Sequence, residues 1–154
     1  MEATPVNVQV DNYPKIKYHK KTYSPLKLKK SSRKKKSKIL IIDDDPINLE
    51  IMAELLSMMG YKVTKACNGF EGLDFLAKDK YDLVITDLEM PGINGWDLAV
   101  RVKETLPGMP IIMLTGHAKE GVEKKLNSSA VDIAMYKPFK IKDMTEAVNN
   151  LLCP

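Results

Sequence analysis

From Lys38 onward the chain alternates short apolar runs with amphipathic stretches. Ile39–Ile42 is wholly apolar and stops at Asp43-Asp44-Asp45-Pro46. Ile47, Ile51, Leu55 and Met59 then recur every four residues, with Met52 and Leu56 beside them. That is a helical period. Pro46 has no N–H to lose at a helix start, Asp45 is a good N-cap, and Gly60 ends the element. The alternation continues with a strand at Lys62–Ala66 and a helix on Phe70, Leu73, Leu76 and Ala77. A strand at Leu83–Thr86 ends at Asp87, and a helix follows over Gly95–Leu106 on Leu98, Val102 and Leu106. Next come a strand at Ile111–Leu114 ending at Thr115 and a weaker helical stretch at Ala118–Asn127. A strand at Ile133–Tyr136 runs into Lys137-Pro138, and a last helix uses Ile141, Met144, Val148 and Leu152. Five strands alternating with five helices predict an α/β domain with a parallel sheet covered on both faces. The strands are apolar rather than alternating, as burial on both faces requires.

No apolar run exceeds four residues, far below the roughly 20 that a membrane span needs. No apolar leader marks the N-terminus. Two cysteines, Cys67 and Cys153, make no disulfide framework, so a reducing, cytoplasmic setting is expected. Cys67, beside the second strand, reads as a packing residue.

Charge divides the chain. Residues 1–38 carry 12 Lys/Arg against Glu2 and Asp11, a balance of +10; residues 39–154 carry 12 against 18 Asp/Glu, a balance of −6. The first segment has Pro5, Pro14 and Pro25 and no sustained apolar period. Such a stretch buries too little to offset its ordering entropy. Residues 1–37 are therefore expected to be a mostly disordered basic extension and 38–154 one folded domain. Val6–Val10 alternates like a strand, but nothing after it offers a partner. The basic residues 15–38 suggest a solvated tail, attachment to nucleic acid or an anionic membrane, or an arm folded over the acidic body. Tyr13, Tyr18 and Tyr23 interleave with the lysines and suit stacking on bases.

Ligands of open parallel sheets bind at the carboxyl ends of the strands. The groups there are Asp43, Asp44 and Asp45, then Asp87, Thr115 and Lys137. Clustered carboxylates without His or Cys suit Mg²⁺. A lysine supplies a point charge for phosphoryl oxygens, a threonine hydroxyl can donate to one, and a carboxylate can accept phosphoryl as an aspartyl phosphate. Taken singly, the Asp43–Asp45 run also fits plain N-capping, and Thr115 and Lys137 fit a turn residue and a surface lysine.

As a set, ILIIDDDPIN (39–48), DLVITDLEMPGINGWDL (82–98), IIMLTGHA (111–118) and YKPF (136–139) resemble the receiver domain of two-component response regulators. The resemblance covers 39–154 and none of 1–37. It implies a flavodoxin-like, doubly wound five-stranded sheet of order 2-1-3-4-5. It implies a phospho-acceptor rather than an enzyme, with Asp87 taking phosphoryl from a histidine kinase or phosphotransfer protein. Asp43 and Asp44 match the acidic pair that, with Asp87 and the backbone carbonyl of Glu89, holds Mg²⁺. Thr115 and Lys137 match the residues that follow the phosphoryl group, and Lys137–Pro138 matches a cis bond. Because the last helix closes the chain, output is expected through a switched protein-interaction surface or the basic arm. The family's usual aromatic three residues before the lysine is replaced by Ala134, with Tyr136 next to the lysine instead. Asn94 and Ala130 are lesser departures, and His117 reads as a loop residue. Two alternatives are a receiver-like adaptor tethered by its basic arm and a small haloacid-dehalogenase-type phosphatase using Asp43. Against the latter, Pro46 replaces an expected small residue and a late acidic pair is missing.

Overall fold

The structure, a computed structural model, describes residues 17–18, 36–116 and 130–152. In chain order its elements are β1 (Lys17–Tyr18), β2 (Lys38–Ile42), α1 (Pro46–Met58), β3 (Lys62–Ala66), α2 (Gly69–Lys78), β4 (Leu83–Asp87), α3 (Gly95–Thr105), β5 (Ile111–Thr115), β6 (Ile133–Tyr136) and α4 (Ile141–Leu152). Strands β3-β2-β4-β5-β6 are parallel neighbours. That is the expected 2-1-3-4-5 order. The expectations for Val6–Val10, for the rest of 1–35, for the helix at Ala118–Asn127, and for His117 and Cys153 lie outside the described residues.

Burial on both faces explains the apolar strands. Ile39, Ile41, Leu83, Ile85, Ile112, Leu114, Ile133 and Met135 pack against Leu49, Met52 and Leu56 of α1 and Met144, Ala147 and Val148 of α4. The alternate residues Leu40, Ile42, Val84, Met113 and Ala134 pack against Leu98, Ala99 and Val102 of α3, with Leu73 and Leu76 of α2 alongside. Each fully buried Ile or Leu is worth about 1.5–3 kcal/mol. The central strands β4 and β5, buried at every residue, therefore fix the site most firmly.

Three helix starts carry side-chain caps, the first of them the expected Asp45. Asp45 accepts from the Ile47 N–H at 2.8 Å, with Pro46 in the first turn. Asn68 accepts from the Glu71 N–H at 2.9 Å, and the Glu71 carboxylate accepts from the Cys67 N–H at 2.7 Å. Asn94 caps α3: it accepts from the Asp97 N–H at 2.9 Å. Gly60 closes α1 at a φ of 93°, a conformation that glycine adopts without a Cβ penalty.

Three details differ from the sequence reading. The buried face of α1 is Leu49, Met52 and Leu56, while Ile47 and Ile51 stand 67% and 62% exposed. Cys67 is exposed, because the chain has left edge strand β3 and turned into the α2 cap. Within the segment expected to be mostly disordered, Lys17–Tyr18 forms a sixth strand antiparallel to β6, in the register Lys17↔Ala134 and Tyr18↔Ile133.

Candidate phospho-acceptor site

The site is built where three adjacent strands end. Asp43 follows β2 by one residue, and its N–H donates to the Ala66 carbonyl at 3.2 Å, tying it to β3. Its Oδ1 accepts from the Asp45 N–H at 2.9 Å, turning the chain into α1. Asp87 is the last residue of β4. Thr115 is the last residue of β5 and fully buried; its carbonyl accepts from the Lys137 N–H at 2.7 Å, fixing where the lysine leaves β6. The Lys137–Pro138 peptide bond is cis.

Lys137 spans two carboxylates. Its Nζ lies 3.0 Å from Asp87 Oδ1 and 3.3 Å from Asp43 Oδ2. Asp43 and Asp87 are both buried, at 6% and 8% exposure. One cation thus faces two desolvated anions, and the proton affinities respond. Burial pushes the Asp87 carboxyl up, and the charge of Asp43 adds to the effect, against the hydrogen bond and charge of Lys137. Burial opposes the charge of Lys137, but the hydrogen bond to Asp87 and the charges of Asp87 and Asp43 overcome it and hold its pKa up.

Asp44 completes the acidic cluster from the exposed rim: one carboxylate oxygen each from Asp43, Asp44 and Asp87 lie within 4.8 Å of one another. Among the described residues, three carboxylates against one ammonium leave a negative excess, and no His or Cys belongs to the cluster. A donor set of this chemistry fits a hard divalent cation with oxygen ligands. Glu89 is exposed, two residues past Asp87. Asp45 caps α1 and stands outside the cluster. Ala134 is buried in the core layer beneath α3. A largely apolar groove of about 330 Å³ opens beside the site between α1 and the β6–α4 connection, with Asp43, Asn48 and Lys137 among the residues lining it.

One positioning residue was missed by sequence reasoning. A Cβ on Gly95 would lie 2.1 Å from the Asp87 carbonyl oxygen and 3.0 Å from the Leu88 Cα. The Gly95 N–H donates to the Leu88 carbonyl at 2.9 Å. The start of α3 thus presses against the backbone at the end of β4, and only glycine fits. The available signal was a glycine opening a helix, a place where better helix formers are usually found.

The response regulator receiver domain family matches residues 39–149. The chain is 34% identical over 118 residues to the transcriptional regulatory protein GlrR of Escherichia coli, covering 77% of this chain and 27% of that protein. It is 32% identical over 103 residues to the sensor histidine kinase RcsC of E. coli, covering 67% of this chain and 11% of that one. Among solved structures, it resembles a response regulator receiver domain protein from Clostridium thermocellum with a TM-score of 0.71, at 32% identity and covering 75% and 94% of the two chains. A CheY-like receiver domain protein from Methanospirillum hungatei gives 0.73, at 29% identity, covering 77% and 94%. The chain therefore belongs to the response regulator receiver domain family, the domain of phosphorelay signalling shared by response regulators and sensor histidine kinases. It spans about a quarter of the length of GlrR and about a tenth of RcsC. The comparisons give no support to the phosphatase or the nucleic-acid and membrane readings. No helix among the described residues is long and apolar enough to cross a membrane.

Proposed function

We propose that this protein is a phospho-accepting switch in which Asp87 takes a phosphoryl group from the phosphohistidine of a kinase or phosphotransfer partner. The observation that carries the reading is the Asp43–Lys137–Asp87 bridge at the carboxyl ends of β2, β4 and β6. An Asp87 oxygen attacks phosphorus, the P–N bond breaks, and the leaving imidazole keeps the electron pair and takes a proton. The product is an aspartyl phosphate. Lys137, already 3.0 Å from Asp87, moves its charge from the carboxylate to the new phosphoryl oxygens. Thr115, at the end of β5, supplies a hydroxyl to the same group. Asp43, Asp44, Asp87 and the backbone carbonyl of Glu89 are the residues that would hold Mg²⁺. When bound, the ion supplies charge neutralisation for the approaching phosphoryl group.

The added charge of about −1.5 to −2 pulls on Thr115 and Lys137, which end β5 and follow β6. The switched surface is therefore the one those strands support. With Ala134 small and buried in the core, this switching runs through Thr115 and Lys137 without the family's usual aromatic partner.

Incubation with acetyl phosphate tests the chemistry. The expected product is one acid-stable, hydroxylamine-labile phosphoryl adduct per chain, formed with Mg²⁺ and not with excess chelator, and absent from Asp87→Asn. Sustained hydrolysis of an aryl phosphate that depends on Asp43 and survives Asp87→Asn would overturn it.

A further inference from the structure

The two outer parallel strands protect their edges differently. β3 reads Lys-Val-Thr-Lys-Ala, and its Lys62 and Lys65 are exposed. Lysines on an edge discourage pairing with a foreign strand. β6 reads Ile-Ala-Met-Tyr and carries no charge; Ile133, Ala134 and Met135 are buried between the helical layers. Its outer row of backbone N–H and C=O groups is thus a strand-docking edge with no charged guard. In this chain the edge is covered by Lys17–Tyr18, antiparallel, at Ala134 and Ile133. The covering residues come from outside the family match, which begins at residue 39. They sit in the +10 segment of a chain whose remainder carries −6.

We propose that the basic arm is a strand guard acting in cis: Lys17–Tyr18 occupies the β6 edge and keeps it from pairing with a second copy of the chain. Two residues of pairing hold weakly by themselves. The tether supplies a local concentration in the millimolar range, and the opposite charges of arm and body favour the docked form. A guard of this kind is displaceable, and it is placed on the strand that leads directly into Lys137. The proposal is independent of phosphoryl chemistry, since both of its readouts apply to the unphosphorylated chain.

The test uses the full chain and the double variant Lys17→Pro/Tyr18→Pro, which removes both arm N–H groups. Hydrogen exchange is read at Ile133–Met135, with Ile39–Ile42 as the internal reference, and sedimentation is followed across protein concentration. The wild type should be monomeric with a protected β6. In the variant, exchange at Ile133–Met135 should quicken by about ten-fold or more while the reference stays fixed, and a dimer should grow in with concentration. Unchanged exchange in the variant would overturn the docked arm. Faster exchange in a chain that stays monomeric at every concentration would overturn the guarding role, as would equal dimerisation of the wild type.

Discussion

Asp87 is buried against the Lys137 ammonium that it shares with Asp43, and its raised pKa has a definite sign for stability. The folded protein keeps the Asp87 proton at pH values where the unfolded chain has already lost it. Metal-free stability therefore falls as pH rises through the carboxylate range, and the full cost persists at neutral pH. Asp87→Asn removes this cost and leaves Lys137 its partner Asp43 at 3.3 Å. At neutral pH the metal-free variant should melt a few degrees above the wild type, and the gap should close as the pH is lowered. Mg²⁺ should raise the melting temperature of the wild type more than that of the variant, because a ligand stabilises the state whose charges it neutralises. Thermal melts across pH, with and without Mg²⁺, read all three effects. A variant that melts below the wild type at neutral pH would contradict the argument.

Among the elements, the strand ends depend on how closely two helices approach the sheet. At Gly95 an added Cβ meets the Asp87 carbonyl oxygen at 2.1 Å, a backbone atom that cannot move without moving Asp87 itself. At Gly72 it meets Ile42 Cδ1 at 2.4 Å, the tip of a side chain that can rotate away. Gly95→Ala should therefore cost about 2–4 kcal/mol and slow phosphoryl uptake. Gly72→Ala should cost about 1 kcal/mol or less, since part of the clash is returned as helix propensity. Urea unfolding midpoints compare the two directly, and equal costs would refute the close-approach account. Register at both ends of β5 and β6 supports the same geometry. Asp132 accepts from the Ile111 N–H at 2.8 Å and from Lys103 Nζ at 2.9 Å at the amino ends, and the Thr115 carbonyl takes the Lys137 N–H at the carboxyl ends. The five parallel strands were legible in the sequence because burial on both faces writes continuous apolar runs. The face of α1 was not, because Ile47 and Ile51 form a stripe as apolar as Leu49, Met52 and Leu56, and periodicity alone does not choose between two apolar stripes. Gly95 was hidden for another reason: its constraint comes from a carbonyl across a loop, not from its own neighbours.

The whole molecule joins an acidic domain to a basic arm, and the two differ in what sequence can say. The convergence of Asp43, Asp87 and Lys137 was readable because each ends or follows a strand, and a parallel sheet gathers such ends on one edge. The arm's two-residue strand was not, since Lys17–Tyr18 has no alternation of its own and its partner Ala134–Ile133 lies at the far end of the chain. The central claim is that Asp87, among three clustered carboxylates, is the one that carries phosphoryl. After reaction with acetyl phosphate and Mg²⁺, borohydride reduction converts an acyl phosphate to the corresponding alcohol, and peptide mass spectrometry then identifies the residue. The account predicts homoserine at position 87 alone; homoserine at 43 or 44, with position 87 intact, would contradict it.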